Sequence, residues 1–367
     1  MLSEHIPKGK KTFFEFFPPP RFLTMPAFGL NISDHSIKIM EIIHGSKMKV
    51  GKFGNEPIPD EVIKSGNIND RGKLEDILRK LKEKYDMSFI RVSLPEEKAY
   101  VFKVKVPKTE NEEQIKNSIE FQLEDNVPIS INEALFDYTF IPGDSNKNEI
   151  EVGVSVLPQK VVASYISIFK SVGLTPISFE IEAESIARSI IKEDDMETYM
   201  IVDYGRIRTG FSVVSRGVLR YTSTVEIGGE PLTRIIKKAG ATSFKEAEKI
   251  KNEKGLIKDP ENPELYMSLV NIVSALRDEI NKRYIFWHTH KDRNGEVGEQ
   301  IKKIFLVGGN SNLGGLEDYL SSSLKVKVER ANVWNNVSLS DNDIPPINFG
   351  DSLSYASAIG LALRKFF

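Results

Sequence analysis

The chain has 367 residues, a length that suits about two domains, with 50 Lys and Arg against 52 Asp and Glu for a formal charge of -2. Balanced charge argues against a nucleic-acid binder, which carries a basic excess or stripe, while 40% hydrophobic and 28% charged residues supply a core and exclude disorder. The absence of cysteine removes disulfides, zinc–thiolate sites, iron–sulfur clusters and Cys nucleophiles; with no apolar run approaching about 18 residues and no h-region after MLSEHIPKGKK, a soluble cytoplasmic protein is expected.

Residues 1–26 set Phe13, Phe14, Phe16, Phe17 and Phe22 around Pro18-Pro19-Pro20, which forbids a long helix. This extension reads either as a tail laid on the protein's own surface or as a contact for a partner or membrane surface, since clustered exposed Phe needs a reason. From Phe28, the runs FGLNI, SIKIMEI and KMKVGKF predict a three-strand meander. GKLEDILRKLKEKY at 72–85 places Leu74, Ile77, Leu78 and Leu81 at helical spacing, and FIRVSL at 89–94 is strand-like. Between 97 and 178 the order is strand, helix, hairpin, helix, strand, which suggests a small α+β unit. Its first helix is expected to open on a capping box at Thr109-Glu110-Asn111-Glu112, with Ile115, Ile119 and Leu123 as its stripe. FDYTFI and EIEVGVSVL form the hairpin, a helix over 158–172 ends at Gly173, and ISFEI closes the unit.

The second half opens with the strands YMIVDYGRIRTGFSVV and VLRYTSTVEIGGE. Helices are predicted over 231–239, over the Lys/Glu-rich 243–254, and over 263–287, where Leu265, Leu269, Val273, Leu276, Ile280 and Tyr284 form a stripe. Strand KIFLVGG, a helix at 315–323, strand VKVERA and a helix near 352–365 follow.

The halves share a feature. Residues 28–42 read strand, Asn31-Ile32-Ser33, polar turn with Ser36, strand; residues 199–214 read strand, Asp203-Tyr204-Gly205, polar turn with Thr209, strand. Each is either an ordinary β-turn or a cradle that aims N–H groups and hydroxyls at a phosphate chain. An acid at the strand end suits a water-coated magnesium, and two such turns facing each other would clamp a nucleoside triphosphate. The turn IFLVGGNSNLGGL at 304–316 lets a backbone approach a ligand closely. It matches neither a Walker A loop nor G-x-G-x-x-G, and a plain tight turn stays open there. His288 and His290 lack a third ligand nearby, and no G-x-S-x-G or H-E-x-x-H motif occurs.

FGLNISDHSIKIMEI resembles the first phosphate motif of the actin-like ATPases of the type IV pilus PilM family, G-L-D-I-G-S-S-S-I-K. IVDYGRIRTGFSVV resembles the second, and VEIGGEPLT the segment after it. LRDEINKRYIFW, LVGGNSNLGGLEDYL (the adenosine motif) and YASAIGLALR continue the resemblance in order, and PKTENEEQIKNSIEFQLEDNVPI is similar to the inserted subdomain shared with the cell-division protein FtsA. The resemblance implies an α/β, actin-like, duplicated RNase H-like fold with two lobes around a nucleotide cleft. It assigns subdomain 1A to 27–96 with 179–198 and 351–367, 1C to the insert 97–178, 2A to 199–242 with 300–350, and 2B to 243–299. It implies a cytoplasmic scaffold of pilus assembly, recruited to the inner membrane by binding the N-terminal peptide of a PilN-like membrane protein in a groove between 1A and 1C. An FtsA-like division protein is an alternative that would call for a C-terminal amphipathic helix. A GspL-like type II secretion domain is another, and would call for a transmembrane helix.

Carried over residue by residue, the resemblance places Ser33, Ser36 and Lys38 on the phosphates of ATP, with Asp203 orienting Mg2+ through water and Gly205 and Thr209 near the phosphates. Gly228 and Gly229 would pass close to the nucleotide, Glu230 and Lys282 would reach the ribose, and Gly308, Gly309, Asn310 and Ser311 would frame the adenosine. Lys38 is alternatively an ordinary outward strand residue. Glu182 matches the acid near the attacking water, or is a solvated helix-start carboxylate. Asn31 stands where the family has Asp; an amide binds a metal's water but adds no charge, so magnesium affinity is expected to fall. Ser33-Asp34 replaces Gly-Ser, and Arg206 and Arg208 enter the second turn. Positioning and charge neutralisation supply most of phosphoryl-transfer catalysis, so nucleotide binding with slow or absent hydrolysis is expected.

Overall fold

The computed structural model describes residues 26–45, 47–109, 111–143, 148–257, 263–292, 295–339 and 344–364. The Phe/Pro-rich extension, Pro26 apart, lies outside them. The chain divides into two units. The first holds the described residues up to Ser189, Trp334–Pro346 and those from Ser357 onward; the second holds Ile190–Val333 with Ile347–Ala356.

The first unit begins with the predicted meander, β1 (Ala27–Ile32), β2 (Ser36–Ile43) and β3 (Lys49–Pro57), each antiparallel to the next. A two-residue hairpin, β4 (Ile63–Lys64) and β5 (Asn67–Ile68), leads to α1 (Arg71–Tyr85), whose cap Asp70 accepts from the Lys73 amide. β6 (Phe89–Leu94) then lies parallel to β1. The insert follows as β7 (Tyr100–Pro107), α2 (Glu112–Asn126), β8 (Ala134–Phe140) and β9 (Glu149–Pro158), its sheet ordered β7-β9-β8. Ile115, Ile119 and Leu123 of α2 pack on Val152, Val154 and Val156 of β9.

Two expectations for this region are corrected. The cap of α2 is Asn111, whose side chain accepts from the Glu113 and Gln114 amides at 3.0 and 3.4 Å; Thr109 Oγ1 accepts from the Asn111 amide at 3.1 Å. The helix starts two residues later than a Thr109 cap requires. Second, α3 (Gln159–Ser171) and β10 (Thr175–Ile181) do not complete the insert. β10 pairs in parallel with β6, and Val162, Tyr165, Ile168 and Phe169 of α3 join Phe28, Leu30, Leu74, Leu78, Ile90 and Val92 in the core of the first sheet. That sheet is ordered β10-β6-β1-β2-β3. Both faces of β1 are covered, which is why AFGLNI reads as a continuous buried run. Its second face is covered by α4 (Glu182–Ile190) and by a helix from the far end of the sequence, described below.

The second unit runs β11 (Thr198–Tyr204), β12 (Thr209–Ser215), β13 (Val218–Val225), α5 (Glu230–Lys238), α6 (Phe244–Glu253), α7 (Pro263–Thr289), β14 (Ile301–Val307), α8 (Leu316–Leu324) and β15 (Val328–Arg330). Its sheet is ordered β13-β12-β11-β14-β15, an antiparallel meander with two parallel strands added beyond its first strand. That is the connectivity of the first sheet, so the repeat read from the two hairpins extends to whole sheets. Leu269, Val273, Leu276 and Ile280 of α7 pack on the β11–β14 core.

The last predicted helix is broken. α9 (Phe349–Ser352) and a 3₁₀ turn (Leu353–Tyr355) precede α10 (Ala356–Leu363). The Leu353 carbonyl accepts the Gly308 N–H at 3.0 Å. α10 packs backbone to backbone in the first unit: a Cβ on Gly29 would sit 2.1 Å from the Ala358 carbonyl oxygen, and one on Gly360 1.7 Å from that of Ser185.

Candidate nucleotide site

In the first unit a polar row crosses the whole sheet. Strand register aligns Glu180, Ser93, Asn31, Lys38 and Asn55 on β10, β6, β1, β2 and β3. Asn31 is its buried centre: Nδ2 donates to Ser93 Oγ at 2.9 Å, Glu182 Oε1 at 2.5 Å and Ser357 Oγ at 3.1 Å. Glu182, the first residue of α4, is therefore held against Asn31. In the β1–β2 turn, the Ser33 amide donates to the Ser36 carbonyl at 2.9 Å and Ser33 Oγ accepts from the Ser36 amide at 3.2 Å. Lys38 Nζ donates to Ser36 Oγ at 3.0 Å, which draws its ammonium toward the hydroxyls of the turn. Asp34 points away to the β4–β5 hairpin and accepts from the Ser65 and Gly66 amides at 3.0 and 3.4 Å. Those two N–H groups offset the negative charge that the turn gains where a glycine–serine pair would carry none.

Two strands along the same row from Asn31, the buried Glu180 carboxylate receives Arg188 at 2.6 Å and Arg364 at 3.2 Å. Burial pushes the nearby Arg91 guanidinium down to about 10, opposed by the attraction of Glu180. Burial likewise pushes the Glu184 carboxyl up, against a 2.5 Å hydrogen bond from Ser155 that favours its ionised form.

In the second unit three segments interlock. Gly205 donates its N–H to the Arg208 carbonyl at 2.9 Å, closing the β11–β12 turn. The Gly229 amide donates to the Gly205 carbonyl at 3.1 Å and the Glu230 amide to the Arg206 carbonyl at 2.9 Å. Asn310 Nδ2 donates to the same Gly205 carbonyl at 2.8 Å. The close passages need glycine: a Cβ on Gly229 would meet Asn310 Oδ1 at 2.0 Å, and one on Gly308, at φ +85°, would meet Asp203 Oδ1 at 2.4 Å. Beside Gly309 the space is open. Asp203, Gly205, Gly228, Gly229, Glu230, Gly308, Gly309, Asn310 and Ser311 thus lie on segments that meet in the second unit. Thr209 is buried, with its hydroxyl donated to the Ile227 carbonyl at 2.6 Å. Arg206 and Arg234 converge on Glu230 at 3.3 and 2.9 Å; burial pushes its carboxyl up, but the two arginines outweigh burial and hold it below the usual carboxylate range. Lys282 lies exposed on α7, and among the described residues no hydrogen bond or ion pair ties it to this cluster.

Sequence reasoning missed the residue at the centre of this network. Lys251, read only as part of a polar helix, is 1% exposed. Its Nζ donates to Glu248 Oε2 at 2.6 Å, Asn310 Oδ1 at 2.6 Å and Thr233 Oγ1 at 3.1 Å. Burial pushes its ammonium below the ordinary lysine value, opposed by Glu248. The available signal was its place one turn after the buried Ala247, on the helix's apolar face. Ser93 and Ser357, which complete the Asn31 cluster, were also missed. Among the described residues no group of three or more His, Cys, Asp or Glu could hold a metal.

A family model described as type IV pilus assembly protein PilM matches residues 29–366. Among curated proteins, the cell division protein FtsA of Buchnera aphidicola subsp. Acyrthosiphon pisum (strain APS) is 26% identical over 197 residues, 48% of this chain and 46% of the relative, so the match spans about half of that relative's length. Among solved structures, a PilM-PilN type IV pilus biogenesis complex superimposes with a TM-score of 0.74 at 19% identity, covering 93% of this chain and 98% of that one. MreB5 of Spiroplasma citri bound to ADP gives 0.52 at 13% identity (90% and 94% covered), and the ethanolamine utilization protein EutJ from Carboxydothermus hydrogenoformans 0.51 at 15% (94% and 90%). These likenesses show the actin-like fold.

Proposed function

The chain belongs to the type IV pilus assembly protein PilM family, and from that we propose that it is an actin-like, nucleotide-binding scaffold of pilus assembly. It would work at the cytoplasmic face of the inner membrane, recruited there by the N-terminal peptide of a PilN-like protein. The match over 29–366 carries this reading, and the likeness to a PilM-PilN complex supports the partner. Among the described residues no helix is long and apolar enough to cross a membrane, which is consistent with recruitment through a partner. The groove between the insert and the rest of the first unit would take the peptide in extended form.

The nucleotide would be ATP with Mg2+. In the first unit Ser33, Ser36 and Lys38 would meet phosphate. In the second, Asp203 would orient magnesium through water, Gly205, Thr209, Gly228 and Gly229 would line the phosphates, and Gly308 to Ser311 would frame the adenosine. Glu230 and Lys282 are proposed for the ribose, and the Glu248–Lys251 pair joins them because it already holds Asn310. Hydrolysis would be slow: Asn31 adds no charge where an acid would help hold metal, and its amide engages Glu182, the carboxylate that would act near the attacking water.

Calorimetric titration with ATP, with and without magnesium, beside Asp203→Ala tests this reading. Magnesium-dependent binding that the substitution weakens supports it, as does phosphate release on the order of 10⁻³ s⁻¹ or slower, the range of an unassisted NTPase. Absence of binding would overturn the nucleotide assignment, and brisk release the slow-turnover assignment. A labelled N-terminal peptide of a PilN-like protein should bind saturably.

A further inference from the structure

We propose that the corner joining α5 to α6 is a contact for an anionic lipid surface, which Phe244 enters at headgroup level while lysines surround it. The last turn of α5 carries Lys237 and Lys238, and α6 opens with Phe244-Lys245. Phe244 is 51% exposed, and the Lys237 ammonium sits 4.1 Å from the centroid of its ring. Lys238 and Lys245 are exposed, and among the described residues neither has a hydrogen bond or ion pair. Lys249, one turn beyond Lys245, pairs only loosely with Glu253, at 3.9 Å.

Charge favours this occupant over a neutral or cationic one. The chain as a whole carries -2, yet residues 237–249 hold four lysines against two glutamates. Both glutamates are engaged: Glu248 holds the buried Lys251, and Glu246 accepts from the amide and the hydroxyl of Thr242. Shape favours a flat partner. Between the lysine pair and Phe244 lie only Ala239, Gly240, Ala241, Thr242 and Ser243, so no bulky side chain in the turn holds a surface away. A Cβ on Gly240, at φ +126°, would meet no atom within 4 Å. Ser243 Oγ accepts the Glu246 amide at 3.1 Å, which starts α6 with the ring at its first position. An aromatic ring suits the boundary between headgroups and acyl chains, and lysine stems lie along it with their ammonium groups in water. The choice of lipid rests on the reading that the chain works at the cytoplasmic face of the inner membrane, where the leaflet is anionic.

Co-sedimentation of the full chain with vesicles of mixed phosphatidylcholine and phosphatidylglycerol, beside vesicles of phosphatidylcholine alone, tests the contact. The parent should bind the mixed vesicles, and less as salt rises. Lys238→Gln combined with Lys245→Gln should weaken binding about 25-fold, since each lysine near such a surface contributes roughly a factor of five. Phe244→Ser should weaken it about tenfold through lost apolar burial. Both variants change exposed side chains and should melt with the parent. Equal binding by parent and variants would overturn the proposal, as would no binding, or equal binding to phosphatidylcholine alone. So would a parent dimer that Phe244→Ser dissolves without lipid, which would assign the corner to a second copy. ATP and PilN-peptide titrations of the same proteins keep the two readings apart: a parent that binds both but no vesicle overturns the lipid contact alone.

Discussion

The ammonium of Lys251 and the amide oxygen of Asn310 lie 2.6 Å apart, and Asn310 in turn holds the Gly205 carbonyl. One buried lysine thereby fixes a helix, a glycine-rich loop and a hairpin turn together. Lys251→Met keeps most of the stem's volume and leaves Asn310 Oδ1 without its donor. The expected cost in urea denaturation is about 1–3 kcal/mol, that of a buried polar atom left unsatisfied. ATP should bind about tenfold more weakly, equivalent to ~1.4 kcal/mol. Unchanged affinity would separate Lys251 from the nucleotide site.

Asn31→Asp installs the residue that the family motif carries, and should destabilise the first unit. The new carboxylate would face Glu182 where the amide now donates at 2.5 Å. Two carboxylates in contact resist joint ionisation, so the pair's folded-state pKa rises. Its stabilising contribution is then present at low pH and lost as pH rises through the raised value. A loss of about 2–4 kcal/mol at pH 7.5 follows from like charges at this range in a partly screened interior. Thermal melts across pH 4–8 check it. Recovery with millimolar Mg2+ would mark the acid pair as able to take a metal; melts matching the parent at every pH would show that the contact carries little weight.

Glu184→Gln should stabilise at alkaline pH. Burial raises the folded-state pKa of Glu184, so its contribution is fully present below the unfolded value near ~4.3 and lost as pH rises through the folded value. The variant should equal the parent near pH 4 and exceed it at pH 8 in matched chemical denaturation. The opposite order would mean that the Ser155 hydrogen bond to the ionised form outweighs burial.

Glu180→Gln removes the carboxylate from between Arg188 and Arg364 and takes away the attraction that offsets the burial of Arg91. A loss of about 3 kcal/mol is expected for breaking such a buried cluster. Arg188→Ala should cost less, about 1 kcal/mol, because its side chain is a third exposed and water screens the pair. Equilibrium unfolding of both variants gives the comparison.

Local periodicity made most elements legible: the bounds of β6 match the run FIRVSL, and α1 begins one residue before its predicted start. Sheet membership was not legible for α3 and β10. They follow the insert in sequence, and only the long-range pairing of β10 with β6 assigns them elsewhere. For the interlocked loops of the second unit, Gly308 and Gly309 permitted close backbone approach but left a plain tight turn open, and Gly228 and Gly229 were placed only by the resemblance. Lys251 was not legible, since a lysine among lysines on a polar helix hides its burial. Nor were the partners of Asn31: Ser93 and Ser357 lie 62 and 326 residues away, with nothing local to mark them.

The backbone contact of α10 with Gly29 sets an order of events during synthesis. The first sheet's strands leave the ribosome early, yet the helix that covers the Asn31 face of β1 is encoded at residues 356–363. At ~5–20 residues per second, that face waits roughly 15–65 s for its cover. The second unit's sheet, drawn from one continuous stretch, emerges whole before then. The earlier-made half is therefore the later to mature, and its open face is where a nascent-chain chaperone has the longest opportunity to bind.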